Sequence, residues 1–273
     1  MGNTAGKRVP WPSAVVVTGG SSGIGKSFIE HIGKVCPWAR VCNLSRRPLD
    51  LKSAELNVRH IACDLSKEQE LLGGVAEVLA FLRDDAPEGE VVVINNAGFG
   101  GYGRFGELAT DHQLGMVDLN IRAVVDLTRR LMPALRERGG AVINVASTAA
   151  FQPTPYLATY GASKAFVLHW SLALSEELRG TRVRALAVCP GPTATAFFKR
   201  AGMQGGAVND AVGQTSEAVV QEAWAALLAG RSLVVTGWKN KVMTSLSGMV
   251  PITWAARIAA VILEKYRLKQ AKA

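Results

Sequence analysis

The chain has no run of about 18 uncharged apolar residues, which a membrane-crossing helix requires. The nearest stretch, Ile252–Leu263, is broken by Arg257. Residues Met1 to Pro12 are polar and lack an apolar signal core, so secretion is not expected. Cysteine is scarce: Cys36, Cys42, Cys63 and Cys189 form no C-x-x-C pair. His31, His60, His112 and His169 keep no metal-ligand spacing either, so neither a metal site nor a redox motif is expected. Three of the cysteines lie in or beside apolar, strand-like runs and read as small buried side chains in a reducing compartment, the cytoplasm. Charge is sparse as well, at 19% of residues against 48% hydrophobic. That balance argues for a sizeable core and against a disordered chain.

The net charge of +9 is unevenly placed. From Arg231 to Ala273 there are eight Lys or Arg and a single acid, Glu264. A basic stripe interleaved with aromatics is missing, and so is any nucleic-acid reading motif; no nucleic-acid partner is expected.

Seven short apolar runs, at Ala14–Thr18, Arg40–Leu44, Val58–Cys63, Glu90–Ile94, Gly140–Val145, Arg182–Val188 and Ser232–Thr236, read as strands. Their near-continuous Val, Ile, Leu and Ala suit strands buried on both faces. Helix-length segments separate most of them, including Gly23–Lys34, Lys67–Arg83, Asp111–Arg136 and Leu157–Arg179. The alternation predicts an α/β fold: one Rossmann-type, doubly wound parallel sheet of about seven strands with helices on both faces. No linker marks a boundary, so residues 1–273 are expected to form one domain. A segment at about 193–230 breaks the rhythm after the sixth strand and is expected to act as a substrate lid. A final helix is expected at about 252–269.

Thr18-Gly19-Gly20-Ser21-Ser22-Gly23-Ile24-Gly25 follows the first strand and opens the first helix. Glycines allow the tight turn and let a pyrophosphate approach the N–H groups at the helix N-terminus. The end of the second strand reads Leu44-Ser45-Arg46-Arg47, with no acid until Asp50. A carboxylate there would engage a ribose hydroxyl, whereas arginine accommodates a 2′-phosphate. The reading is NADP(H), through Ser45, Arg46 and Arg47.

Tyr160 and Lys164 stand four residues apart at the start of a predicted helix and so share one face. A neighbouring cation favours the phenolate, making a tyrosine usable as an acid or base. Ser147, after the fifth strand, could polarise a carbonyl. With these motifs in order, the sequence resembles the short-chain dehydrogenase/reductases from about Ala14 to Phe198. The resemblance rests on the glycine turn, Asp64-Leu65, Asn95-Asn96-Ala97-Gly98, Asn120, Ser147, Tyr160-x-x-x-Lys164, and Pro190-Gly191 followed by Thr195. The branch it resembles is that of the carbonyl reductases near 3-ketoacyl and hydroxysteroid dehydrogenases.

The resemblance implies that Tyr160 exchanges a proton with the substrate oxygen and that Ser147 hydrogen-bonds it. Lys164 would lower the tyrosine pKa and hold the nicotinamide ribose, and Asn120 would support a proton relay. Gly19, Ser21, Ser22, Gly23, Ile24 and Gly25 would cradle the phosphates. Asp64 and Leu65 would meet the adenine, Asn96, Ala97 and Gly98 would line the channel, and Pro190, Gly191, Thr193 and Thr195 would position the carboxamide. The expected activity is an NADP(H)-dependent alcohol/carbonyl oxidoreductase. The alternative is a catalytically silent nicotinamide-binding sensor or scaffold, which the intact tetrad does not favour. Phe99, Tyr102, Phe105, Phe151, Tyr156, Phe197 and Phe198 predict an apolar pocket and hence an apolar substrate. A homo-oligomer, dimer or tetramer, is expected through the helices of Asp111–Arg136 and Leu157–Arg179.

On a helical wheel Ile252, Ala255, Ala256, Ile258, Ala259, Ile262, Leu263 and Tyr266 share one face, opposite Thr253, Arg257, Glu264 and Arg267. The favoured reading buries that face against the domain. Peripheral contact with a membrane, through Trp254 and the terminal basic residues, is the alternative.

Overall fold

The structure is a computed structural model that describes residues 11–50, 57–195, 197–203 and 213–268. The polar N-terminal stretch up to residue 10, residues 196 and 204–212 of the expected lid, and Lys269 lie outside the described residues.

Seven strands, β1 (Ala14–Thr18), β2 (Arg40–Ser45), β3 (Val58–Ala62), β4 (Val91–Asn95), β5 (Gly140–Val145), β6 (Val183–Cys189) and β7 (Leu233–Val235), form one sheet among the described residues. Their order is β3-β2-β1-β4-β5-β6-β7, and every pairing is parallel. The chain reverses its winding between β1 and β4, and in such sheets ligands bind beyond the carboxyl ends of the strands at that point.

Both faces of the sheet are covered. Val15 and Val17 of β1 pack with α1 (Gly23–Val35) and α7 (Ser216–Leu228), through Phe28, Ile29, Ile32, Val219 and Trp224. Ala14 and Val16 point the other way, toward α2 (Glu68–Ala80) and α4 (Ala123–Arg138), with Leu71, Val78, Leu127 and Leu131. This period-two alternation is why the strands read as continuous apolar runs. Leu131 is fully buried, so Leu131→Ala should lower unfolding free energy by about 2–5 kcal/mol. Urea denaturation followed by circular dichroism checks this; a loss under about 1 kcal/mol would mean that the layer relaxes into the cavity.

Three sequence expectations change in detail. The helix expected over Asp111–Arg136 is α3 (Thr110–Val117), then a wide turn at Asp118–Arg122, then α4. In that turn the Ala123 N–H reaches Asp118 O, five residues back, a bulge that apolar periodicity does not encode.

The lid expected at 193–230 is divided. It contains the short α6 (Phe197–Arg200), but α7 is sealed onto α1 as a core helix, not a lid. Ser27 Oγ of α1 also donates to Ser216 Oγ of α7 at 2.8 Å.

The third change concerns the C-terminal helices. After β7 come α8 (Trp238–Ser247), which packs against the turn at Thr148–Phe151 that α5 (Ala158–Glu177) also meets, and α9 (Ile252–Leu268). Among the described side chains of the predicted face, Ala255 and Ala259 are buried, whereas Ile252, Ile258 and Ile262 are exposed. The favoured burial of that face is therefore corrected.

Candidate active site

Thr18 ends β1, and its hydroxyl ties the two central strands together. Oγ1 accepts from the N–H groups of Asn96 and Ala97, each at 3.0 Å. The Asn96 carboxamide returns hydrogen bonds to the carbonyls of Thr18 and Gly19. Gly19 has φ +68, and a Cβ there would meet Ala97 Cα at 2.9 Å, so only glycine fits. Ser22 is the N-cap of α1 but makes no side-chain capping bond, and the first turn carries no acid. An uncapped helix N-terminus of this kind suits an anion. Gly23 faces Thr195, whose Cγ2 would lie 3.3 Å from an added Cβ. The glycine turn, Asn96, Ala97 and Thr195 are thus gathered at one edge. These are the residues a dinucleotide pyrophosphate would need.

At the end of β2, Ser45 Oγ donates to Arg47 O at 2.7 Å and accepts from Asn43 Nδ2 at 3.1 Å. Ser45 therefore shapes the turn, while Arg46 and Arg47 extend from it into solvent. Arg46 makes a loose ion pair with Asp64 at 3.8 Å. Leu65, beside it, is part of the core under α2. Arg200, at the end of α6, lies near this turn: burial, then the like charges of Arg47 and Arg46, hold its guanidinium below the usual arginine pKa. Sequence reasoning missed Arg200. It belongs to no motif, and only the fold brings it toward residues 46 and 47.

Farther along the edge, Pro190 O accepts from Thr148 N–H at 2.9 Å. Thr193 Oγ1 donates to Gly191 O at 2.9 Å. Gly191 lies against Asn240 of α8, whose Nδ2 would be 2.3 Å from a Cβ there.

The predicted tetrad converges. Ser147 caps a turn at Thr148–Phe151, accepting from Ala149 N–H at 3.1 Å, and it hydrogen-bonds the Tyr160 phenol. Tyr160 and Lys164 sit on the buried side of α5. Lys164 Nζ lies 5.9 Å from the Tyr160 ring centre and donates to Val145 O at 2.8 Å. Asn120 is fully buried in the wide turn before α4. Its Oδ1 accepts from Phe99 N–H at 3.1 Å, and its Nδ2 donates to Phe99 O and to Ser163 Oγ, each at 3.0 Å. Its side chain thus clamps the loop after β4 to α5. Gly98 completes the group: a Cβ there would stand 3.0 Å from Asn120 Oδ1 and 3.4 Å from Lys164 Nζ.

Burial dominates the electrostatics. It pushes the Tyr160 phenol up to about 12, with the Ser147 hydrogen bond pulling the other way. It brings the Lys164 ammonium down to about 8. Lys164 does not figure among the groups that shift the Tyr160 phenol; its Nζ is itself buried and donates to Val145 O. Cys189, which sequence reading treated only as a buried apolar group, lies beside Lys164, and burial drives its thiol to about 12.

The Phe197 ring is 5.1 Å from that of Tyr160, and Tyr102 is 6.1 Å from Tyr156. The Phe197 ring forms an aromatic wall beside Tyr160. Phe99 instead meets His112 edge-on, and Phe105 is exposed, so neither builds that wall. Among the described residues no cluster of His, Cys, Asp or Glu is arranged to hold a metal ion.

The short chain dehydrogenase family model matches residues 13–204, so the chain belongs to the short-chain dehydrogenase/reductase family of oxidoreductases. It is 34% identical over 188 residues to serine 3-dehydrogenase of Rhizobium radiobacter, covering 67% of this chain and 73% of that one. A short-chain dehydrogenase from Sphingobium yanoikuyae, solved with NADPH, superposes with a TM-score of 0.69 at 24% identity, over 86% of this chain and 94% of its own. One from Burkholderia phymatum, solved with NAD, gives 0.70 at 19% identity, over 86% and 92%. At these identities the two structures establish the shared fold; it accommodates either cofactor.

Proposed function

We propose that this oxidoreductase reduces an apolar carbonyl compound to the alcohol with NADPH, or runs the reverse, with Tyr160 as the acid/base. The observation that carries the proposal is the enclosed group of Tyr160, Ser147 and Lys164 at the carboxyl edge of the sheet, beside an aromatic wall. The bound nicotinamide would supply or accept the hydride. The chain's own part is electrostatic. Ser147 Oγ donates a hydrogen bond to the substrate oxygen, and Tyr160 Oη gives it a proton as negative charge develops there. A phenol held protonated at neutral pH enters reduction ready to donate. Gly19, Ser21, Ser22, Gly23, Ile24 and Gly25 would cradle the pyrophosphate. Asp64 and the backbone at Leu65 would border the adenine, and Asn96, Ala97 and Gly98 the channel. Pro190, Gly191, Thr193 and Thr195 would border the carboxamide. Lys164 would turn from Val145 O to the ribose, and Asn120 would hold the loop of Gly98 in place. The test is NADPH consumption with a panel of aldehydes and ketones; a chain that binds NADPH tightly yet turns over none of them would be the silent sensor instead.

The cofactor preference rests on Arg46 and Arg47, with Arg200 near them, at the end of a strand that supplies no acid of its own to a ribose; Asp64, paired with Arg46, is assigned to the adenine. NADPH should bind at least about tenfold more tightly than NADH, as a charge-assisted contact of about 1.5–3 kcal/mol requires. Ser45→Asp with Arg46→Leu should reverse that order, and Arg200→Gln should weaken NADPH alone. Titration of intrinsic fluorescence with both nucleotides checks it; equal affinities in the parent chain would refute the assignment.

We place the protein in the cytoplasm as a homo-oligomer. Leu114 and Val117 of α3 and Phe166 of α5 are exposed apolar residues on the helices expected to pair.

A further inference from the structure

The structure assigns the C-terminal helix pair a membrane-surface role: α8 and α9 dock this chain onto an anionic lipid bilayer, lying on it without crossing. The first observation is where the apolar side chains point. On α8, Trp238, Val242 and Leu246 recur every fourth residue and are all exposed. On α9, Trp254, Ile258 and Ile262 do the same. The link between the helices exposes Met249 at 80% and Val250 at 37%. Soluble monomers seldom expose apolar patches of this extent without using them.

The second observation is charge. These helices lie in the segment where eight Lys or Arg face one acid. Lys239 and Arg257 are exposed beside the apolar stripes, and Lys239 Nζ stands 5.8 Å from the Trp238 ring centre. Lys265, Arg267, Lys269 and Lys272 follow in the sequence. Tryptophan with lysine around aliphatic side chains matches the layered chemistry of a lipid surface: hydrocarbon, interface, anionic phosphate. An interface with a second copy of the chain would be depleted of lysine. No helix among the described residues is long and apolar enough to cross a membrane, which leaves the surface.

The anchorage is close to the site. Tyr102 Oη donates to Leu263 O at 2.6 Å, which fastens α9 to the loop after β4. Asn240 of α8 donates to Thr236 O at 2.7 Å and stands against Gly191. Both helices therefore leave the domain at the carboxyl edge of the sheet. Docking there would bring the Tyr160 edge of the domain close to the lipid.

The test uses the full chain and needs no substrate. Sedimentation with vesicles of phosphatidylglycerol and phosphatidylcholine should carry the protein down at low salt, at least tenfold more than with phosphatidylcholine alone, and high salt should release it. Brominated lipid should quench part of the tryptophan emission of the unmodified protein, an observation independent of any variant. Ile258→Gln with Ile262→Gln should weaken sedimentation at least tenfold while leaving the melting temperature and NADPH affinity unchanged, since both side chains are exposed. Absence of sedimentation with anionic vesicles would overturn the assignment, as would equal binding by the double variant. A lipid-independent dimer that the double variant dissociates would overturn it in favour of a second copy.

Discussion

Tyr160→Phe should lower kcat for carbonyl reduction by at least about 10²–10⁴-fold, the usual contribution of a positioned acid, while NADPH affinity changes little. The ring remains, so its contacts with Phe197 and its share of the α5 core survive; only the hydroxyl that Ser147 meets is lost. The dissociation matters because Lys164, not the phenol, is the group proposed to reach the cofactor. Stopped-flow reduction of the best ketone found in a screen, with NADPH titration of the same samples, separates the two quantities. Turnover at the level of the parent would mean that the proton comes from elsewhere.

The second large effect is a pH-dependent stability carried by Lys164. Its folded-state pKa is about 8, against an ordinary value near 10.5 in the unfolded chain. Below about pH 8 both states hold the proton, and the folded one bears the full desolvation of a buried ammonium. Between about 8 and 10.5 the folded state has released its proton while the unfolded state retains it. The unfolded state then binds more protons, so stability rises with pH through that window. A gap of this size corresponds to about 3 kcal/mol. Lys164→Met removes the rise, so the parent should gain roughly 2–3 kcal/mol relative to the variant between pH 7 and pH 10. Tyr160 acts in the opposite sense: its pKa, raised to about 12, costs stability above pH 10. That group is present in both proteins and cancels. Urea unfolding of the cofactor-free proteins at the two pH values decides it. A constant difference would show that the ammonium remains charged in the folded state.

The centre of the sheet was legible because β1, β4 and β5 are buried on both faces and must be apolar; the edge strand β3, with Arg59 and His60, is only partly buried and writes a weaker pattern. The proposed catalytic group could be picked out because its chemistry restricts residue type, and the spacing from Tyr160 to Lys164 is one helical turn. Lys164 was nonetheless misread in one respect. Spacing gives proximity, but desolvation, which governs both pKa values, depends on how Val145, Cys189 and the rest of the wall close around it. Arg200 was invisible because its neighbours are distant in sequence. The face of α9 was misassigned for a third reason. A helical wheel groups apolar residues without weighing size, and here the small Ala255 and Ala259 are the buried members while Ile252, Ile258 and Ile262 face out.

Between the strands and the active-site edge runs a buried string of polar side chains. Asn95 Nδ2 donates to Thr128 Oγ1 at 2.9 Å and to Asn144 Oδ1 at 2.7 Å, and Asn144 Nδ2 donates to Ser171 Oγ at 2.9 Å. It joins β4, β5, α4 and α5, and separating any one of them leaves a buried amide or hydroxyl without its partner. Hydrogen exchange in these four elements should therefore follow a single opening, the unfolding of the whole domain. The helices at the C-terminus hold no member of that string. Their amides can exchange through local opening, so the part of the molecule that meets its surroundings can breathe while the Tyr160 edge remains closed.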